Sequence, residues 1–228
     1  MKKRVLSEEI KLKVKAVIFD MDGVVTNTMP DHFRAWKEIF KREGIAVTRE
    51  DIYSREGQRG MDSVKEIFRD YDKTVDAETA RRILRDKEKF FKKIVKRRFI
   101  PGARSFLKWS HKSDFHLALV TGTARHEVYK ILPMAIYSLF SVIITGSDVQ
   151  NGKPHPEPFL KALEKLKIKA SEAVVIENAP LGIRSAKKAG IACFALETSL
   201  SREYLKEADI IFSSFEALKR QVTFDFKD

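Results

Sequence analysis

Beyond the Pro101-Gly102 break, short apolar runs alternate with amphipathic segments almost to the C-terminus. Strands are expected at 115–120, 141–145, 173–176, 191–196 and 210–212, and helices at 125–132, 156–167 and 181–189. Apolar runs this short, bounded by turn residues, are strands buried on both faces. Strands separated by helices pair in parallel, so the pattern predicts βαβ units and an open sheet. An earlier run, Val14 to Phe19, reads Val-Lys-Ala-Val-Ile-Phe and ends in Asp20 and a glycine turn, which makes it the first strand of that sheet. From Asp31 to about Arg98 the pattern is helical, with Trp36, Ile39, Phe40, Val64, Ile67, Phe68, Ile83 and Phe91 spaced among charges. The expected organisation is α/β. A Rossmann-like open parallel sheet core is drawn from 1–30 and 101–228, and a helical cap, 31–100, is inserted after strand one.

Composition narrows the class. With 228 residues, 43% hydrophobic and 33% charged, the chain has the make-up of a globular protein with a full core. No apolar run approaches the roughly 18–20 residues of a membrane span. The N-terminus begins basic but has acids where a signal peptide would be apolar, and there is a single cysteine. Both point to a cytoplasmic, reducing setting. Cys193, inside Ile-Ala-Cys-Phe-Ala-Leu, reads as a core thiol. The net charge of +12 raises nucleic-acid binding as a reading. However, the basic residues are spread and interleaved with acids, as in 81–89, which is how a solvated helix face looks. Small anionic substrates suit the same positive field.

In open parallel sheets, ligands bind at the carboxyl ends of the strands. The first strand runs into Asp20-Met21-Asp22-Gly23 and the second into Thr121-Gly122-Thr123. The third is followed by Asn151-Gly152-Lys153-Pro154, and the fourth runs into Glu177-Asn178. Each element alone has a plain structural explanation as a turn or helix cap. Together they gather carboxylates, a hydroxyl, an amine and an amide, an oxygen-rich set that suits Mg²⁺ and a phosphate together. Arg125, just past the second strand end, is placed to assist with phosphoryl oxygens.

These residues resemble the motifs of the haloacid dehalogenase superfamily, in its β-phosphoglucomutase-like phosphatase group. Asp20-Met21-Asp22-Gly23-Val24 is similar to its first motif and Thr121 to its second. Gly152-Lys153-Pro154 is similar to the third, and Glu177-Asn178-Ala179-Pro180-Leu181-Gly182 to the fourth. The resemblance runs from about Val14 to the C-terminus. It implies an Mg²⁺-dependent phosphatase acting on a small phosphorylated metabolite through an aspartyl phosphate. Asp20 would be the nucleophile and Asp22 the proton donor and acceptor. Thr121 and Lys153 would hold the phosphoryl group. Asp20, Asp22 (through its carbonyl), Glu177 and Asn178 would bind Mg²⁺. Asn178 stands where most relatives have a second acid. Dehalogenases use only one carboxylate after strand one, so Asp22 favours phosphate chemistry.

The cap sets the substrate. Gly122, Thr123, His32 and Arg59 are the expected substrate-binding residues; His32 and Trp36 lie one helical turn apart and share a face. Arg59 lies in Gly57-Gln58-Arg59-Gly60, which resembles a loop that dips over the active site. The mutase has an arginine one position later, where this chain has Gly60. Lys87 falls near a mutase cap lysine but reads as a solvated side chain on a charged helix. Hydrolysis is therefore the first expectation, sugar-phosphate mutation the alternative, and a basic nucleic-acid-binding protein a remote one.

Overall fold

The computed structural model describes residues 10–226. The basic N-terminal stretch, whose acids argue against a signal peptide, lies outside the described residues. In chain order, β1 (Ile10–Val14) and β2 (Ala16–Phe19) precede four helices: α1 (Met29–Arg42), α2 (Arg49–Tyr53), α3 (Gly60–Asp70) and α4 (Ala77–Ile94). Then come α5 (Ala103–Lys112), β3 (His116–Val120), α6 (Arg125–Ile131), α7 (Met134–Tyr137), β4 (Val142–Ile144) and α8 (Glu157–Leu166). The chain continues with β5 (Ala173–Glu177), α9 (Pro180–Lys188), β6 (Ala192–Leu196), β7 (Ile210–Phe212), α10 (Phe215–Gln221) and β8 (Val222–Phe226).

The main sheet has the order β4-β3-β2-β5-β6-β7, and all of its pairings are parallel. Every residue of β2 is buried, as a central parallel strand covered by helices on both faces requires. Alternate side chains feed two separate cores. Val17, Phe19, Leu117 and Leu119 face one, and Ile18, Ala118, Val120 and the fully buried Cys193 face the other. The chain leaves β2 towards β3 on one side and returns to β5 on the other. That strand-order reversal opens a crevice at the carboxyl end of β2.

Helices α1–α4 enclose a third apolar cluster around Trp36, Ile39, Phe40, Val64, Ile67 and Ile83. Their ends are set by local chemistry. Thr48 and Asp51 form a reciprocal capping box on α2, and the Asp76 carboxylate accepts from the Glu78 and Thr79 amides at the start of α4. No helix among the described residues is long and apolar enough to cross a membrane.

Five elements have no counterpart in the sequence reading: α5, α7, α10, and the parallel pair β1–β8. β1 reads Ile-Lys-Leu-Lys-Val, the alternation of a half-buried strand, but its partner lies far away in the sequence. The pair closes over the core through Phe224, whose ring contacts Phe106, Trp109 and Phe115.

Candidate active site

The polar residues at the strand ends converge in the crevice. The backbone ladder runs one residue past β2 and β3: the Asp20 amide donates to the Ile176 carbonyl and the Thr121 amide to the Ile144 carbonyl, both at 3.0 Å. Asp20 is thereby fixed at the sheet's edge and is 1% exposed. The chain then turns sharply, with the amides of Val25 and Thr26 both donating to the Met21 carbonyl. Gly23 makes the turn at φ 86°, a left-handed conformation. A Cβ there would run into the Asn178 amide and the Glu56 carboxylate. Glycine is thus required both by the backbone and by what packs on it.

Lys153 arrives from the loop after β4. Glu157, at the start of α8, accepts from the Gln150 and Asn151 amides at 2.9 and 2.8 Å and so shapes that loop. The Lys153 ammonium, almost wholly buried, donates to Asp20 Oδ1 at 2.6 Å, Glu177 Oε1 at 2.7 Å and the Val120 carbonyl at 3.1 Å. All three of its donors are used. Glu177 Oε2 accepts from the Asn178 and Ala179 amides, so both Glu177 oxygens are engaged within the protein. In this arrangement Glu177 holds Lys153 and the turn into α9.

Asp22 is gripped differently. Its Oδ1 accepts from the Thr28 hydroxyl and pairs with His32 Nε2 at 3.2 Å; its Oδ2 accepts from the Thr123 hydroxyl at 2.9 Å. His32 is stacked on Phe91, ring centres 4.1 Å apart. Burial alone would raise the Asp22 carboxyl, but His32 and the hydrogen bonds from Thr28 and Thr123 outweigh it and bring the pKa to about 2. Asp20 goes the other way. Burial raises it well above the usual carboxylate range, Lys153 opposes, and Glu177 and Asp22 reinforce the rise. Burial would lower the Lys153 ammonium, yet Asp20 and Glu177 together hold it above its ordinary value.

Glu56, unnoticed in the sequence, brings a fourth carboxyl group into this space from the cap, between α2 and α3. Its Oε1 accepts from Asn178 Nδ2 at 2.9 Å. Burial first, and the Asp20 charge next, raise its pKa well above normal. One ammonium and one imidazole thus face four buried carboxyl groups, an imbalance that a divalent cation would correct. Six buried side-chain polar atoms among the described residues lack a hydrogen-bond partner, and three are Asp20 Oδ2, Glu56 Oε2 and Asn178 Oδ1. Oxygens without donors are what Mg²⁺ accepts as ligands, so the donor set fits that ion.

Above Asp22, between cap and core, lies a cavity of about 200 Å³ lined by His32, Trp36, Gln58, Lys87, Thr123 and Glu127, among others. The expected substrate residues Gly122 and Thr123 border it, and the Gly57 carbonyl packs so closely on Gly122 that no side chain fits there. Two expectations are corrected, for Lys87 and Arg125. Lys87 is not a solvated side chain: it is 5% exposed, with its ammonium 5.3 Å from the Trp36 ring centre and 4.7 Å from that of Phe91. It continues the inward stripe Ala80, Ile83, Lys87, Phe91, whose three- and four-residue spacing was visible in the sequence. Arg125 does not face the phosphoryl site, because Asp148 in the loop after β4 takes its guanidinium at 2.6 Å. Arg59 borders the cavity, but its guanidinium donates to the Gln150 carbonyl and latches the cap to the Lys153 loop. Glu127, also missed, is buried with Oε1 unpartnered.

Two carboxylates beyond β2 and a lysine from the loop after β4 thus meet beneath a helical cap. Residues 17–196 match the haloacid dehalogenase-like hydrolase family, and the chain belongs to it. Among its relatives is the phosphorylated carbohydrates phosphatase of Thermotoga maritima, 32% identical, the match covering 78% of this chain and 82% of that one. The β-phosphoglucomutase of Bacillus subtilis is 29% identical over 78% of this chain and 81% of its own. A solved structure, a putative β-phosphoglucomutase from Bacteroides vulgatus, superposes with a TM-score of 0.82 at 34% identity, covering 92% and 88% of the two chains.

Proposed function

We propose that this hydrolase is an Mg²⁺-dependent phosphatase that cleaves a small phosphate monoester, a sugar phosphate or similar metabolite, through an aspartyl phosphate on Asp20. The observation that carries this reading is Asp20 itself: one oxygen is fixed by Lys153, the other has no partner, and Asp22 lies next to it. Asp20 would attack phosphorus through its carboxylate, while Lys153 and Thr121 hold the transferring group. Asp22 would give a proton to the leaving oxygen and then take one from the attacking water. Alone it is ionised; a phosphate dianion placed beside it favours the protonated form by like-charge repulsion. His32, Thr28 and Thr123 keep its two oxygens aimed. Asp20, the Asp22 carbonyl and Asn178 are the residues that would hold Mg²⁺, which when bound neutralises charge between nucleophile and phosphate.

Hydrolysis is favoured over mutation by Gly60. A Cβ there would press on the Leu84 side chain at 2.5 Å, so this position has no room for the mutase's arginine without repacking. The cavity is also small for a bisphosphate, lying below the usual 300–1,000 Å³ of ligand pockets. Phosphate release from a panel of sugar and nucleotide phosphates, and from an aryl phosphate, is the test, and a chelator should stop it. With β-glucose 1-phosphate and a trace of the bisphosphate, free phosphate should outpace glucose 6-phosphate. Dominant isomerisation would make the protein a mutase. No hydrolysis of any ester, with tight salt-sensitive RNA binding, would make it a basic binding module.

Lys87 and Glu127 supply a donor and an acceptor for the leaving group's oxygens. Lys87→Met should lower kcat/KM on the best ester about 10- to 100-fold, the scale of a hydrogen bond to a charged group, mostly through KM. A change confined to kcat would remove Lys87 from substrate binding.

A further inference from the structure

Glu56 is the one acidic residue that the cap places among the catalytic carboxylates, and the chemistry proposed for Asp20 and Asp22 gives it no task. It is 4% exposed and lies three residues beyond the end of α2, so it can reach the core only when the cap is seated. Its Oε1 is held by Asn178 Nδ2, and that same nitrogen donates to Ser199 Oγ at 2.9 Å. The bond fixes which way both groups point. The Asn178 amide has its nitrogen turned to Glu56 and Ser199, leaving Oδ1 bare, while Glu56 leaves Oε2 bare. Asp20 Oδ2 is the third bare oxygen of the same cluster. A buried carboxylate oxygen without a donor is costly, and while Asp20 and Glu56 are ionised the three acceptors offer one another nothing. A cation seated among them would satisfy all three.

Resting on the Mg²⁺-dependent reading of the site, we infer that Glu56 is a cap-borne ligand of the metal, so that metal binding and cap closure are coupled. The acid that the fourth motif lacks at Asn178 is thereby supplied from across the domain gap. Asn178 presents a neutral oxygen, and Glu56 supplies the missing charge from the other side, held in place by the Asn178 amide. With the cap open the metal site would have Asp20, the Asp22 carbonyl and Asn178; with it closed the site gains a carboxylate. Reciprocity then requires that metal draw the cap shut as strongly as the closed cap tightens the metal. Closure over the metal confines the leaving group to the small cavity above Asp22.

The test reads metal binding and cap position directly, so it stands whether or not a substrate is found. Titration calorimetry with Mg²⁺ should show Glu56→Gln binding about 10- to 100-fold more weakly than the parent, the range seen when groups tuning a metal site are removed. Hydrogen exchange across 54–60 should slow on adding Mg²⁺ to the parent and stay unchanged in Glu56→Gln. The double variant Glu56→Gln with Asn178→Asp returns the charge to the core, and it should recover most of the affinity without recovering the Mg²⁺-dependent protection. Glu56→Asp, which keeps the charge on a shorter arm, should fall between and serves if Glu56→Gln folds poorly. Parental Mg²⁺ affinity in both Glu56 variants, or equal protection of 54–60 in all of them, would overturn the proposal.

Discussion

Asp20→Asn should fold normally and lose on the order of 10³-fold or more in phosphate release. Removing a nucleophile costs at least what removing a positioned acid–base group does. The substitution is nearly isosteric. Its carbonyl oxygen can still accept from Lys153, as Oδ1 does at 2.6 Å. What disappears is the bare Oδ2, the only Asp20 side-chain oxygen without a partner. Stability should change little, because the amide carbonyl still accepts from Lys153 and Glu177 remains as that lysine's counter-ion. Rapid acid quench with a labelled ester should trap phosphate on the parent and none on the variant. A variant retaining a tenth of the parental rate would sink the covalent mechanism, though not the phosphatase assignment.

The parts of this structure that were legible in the sequence share one physical property: their signals are local. A strand buried on both faces must be apolar without interruption, so Ala16–Phe19 and Ala173–Glu177 announce themselves, and the site is built from the residues at their carboxyl ends. Strand ends therefore located Asp20, Thr121, Lys153 and Glu177 without knowledge of any contact. The signals that stayed hidden are tertiary. Nothing in Ser54-Arg55-Glu56-Gly57 has helical or strand periodicity, and Glu56 is buried only because the cap closes on the core. Arg125 stands at a strand end as a phosphate ligand would, and only the neighbouring loop's Asp148 takes it away. Lys87 is intermediate. Its helix is charged throughout, yet its phase on the inward stripe marked it, and charge was allowed to outweigh periodicity. The pairing of β1 with β8 was hidden by sequence distance, although the lysine alternation of β1 is itself a strand pattern.

Lys153→Met should be the most damaging single substitution for stability. The ammonium is 2% exposed and lies between two carboxylates at 2.6 and 2.7 Å. Methionine keeps roughly the length and bulk of the side chain, so packing against Phe159 survives, and the loss is electrostatic. Removing one partner from a buried ion pair costs about 3–5 kcal/mol, because the charges left behind have neither water nor a counter-ion. For a chain of this size each kcal/mol moves Tm by roughly 2–4 °C, so a fall of about 10 °C is expected in the presence of a chelator. The pH dependence identifies the cause. Lys153 has a folded-state pKa above its ordinary 10.5, so its contribution is complete at neutral pH and is lost only as pH climbs through the raised value. In the variant Asp20 loses the ammonium that opposed the rise of its pKa, so protonation of Asp20 relieves the buried charge. The gap between parent and variant should therefore be widest near neutral pH and narrow both as acid protonates Asp20 and beyond pH 10.5. A gap that held constant across that range would assign Lys153 a packing role and leave the charge of Asp20 to be balanced elsewhere.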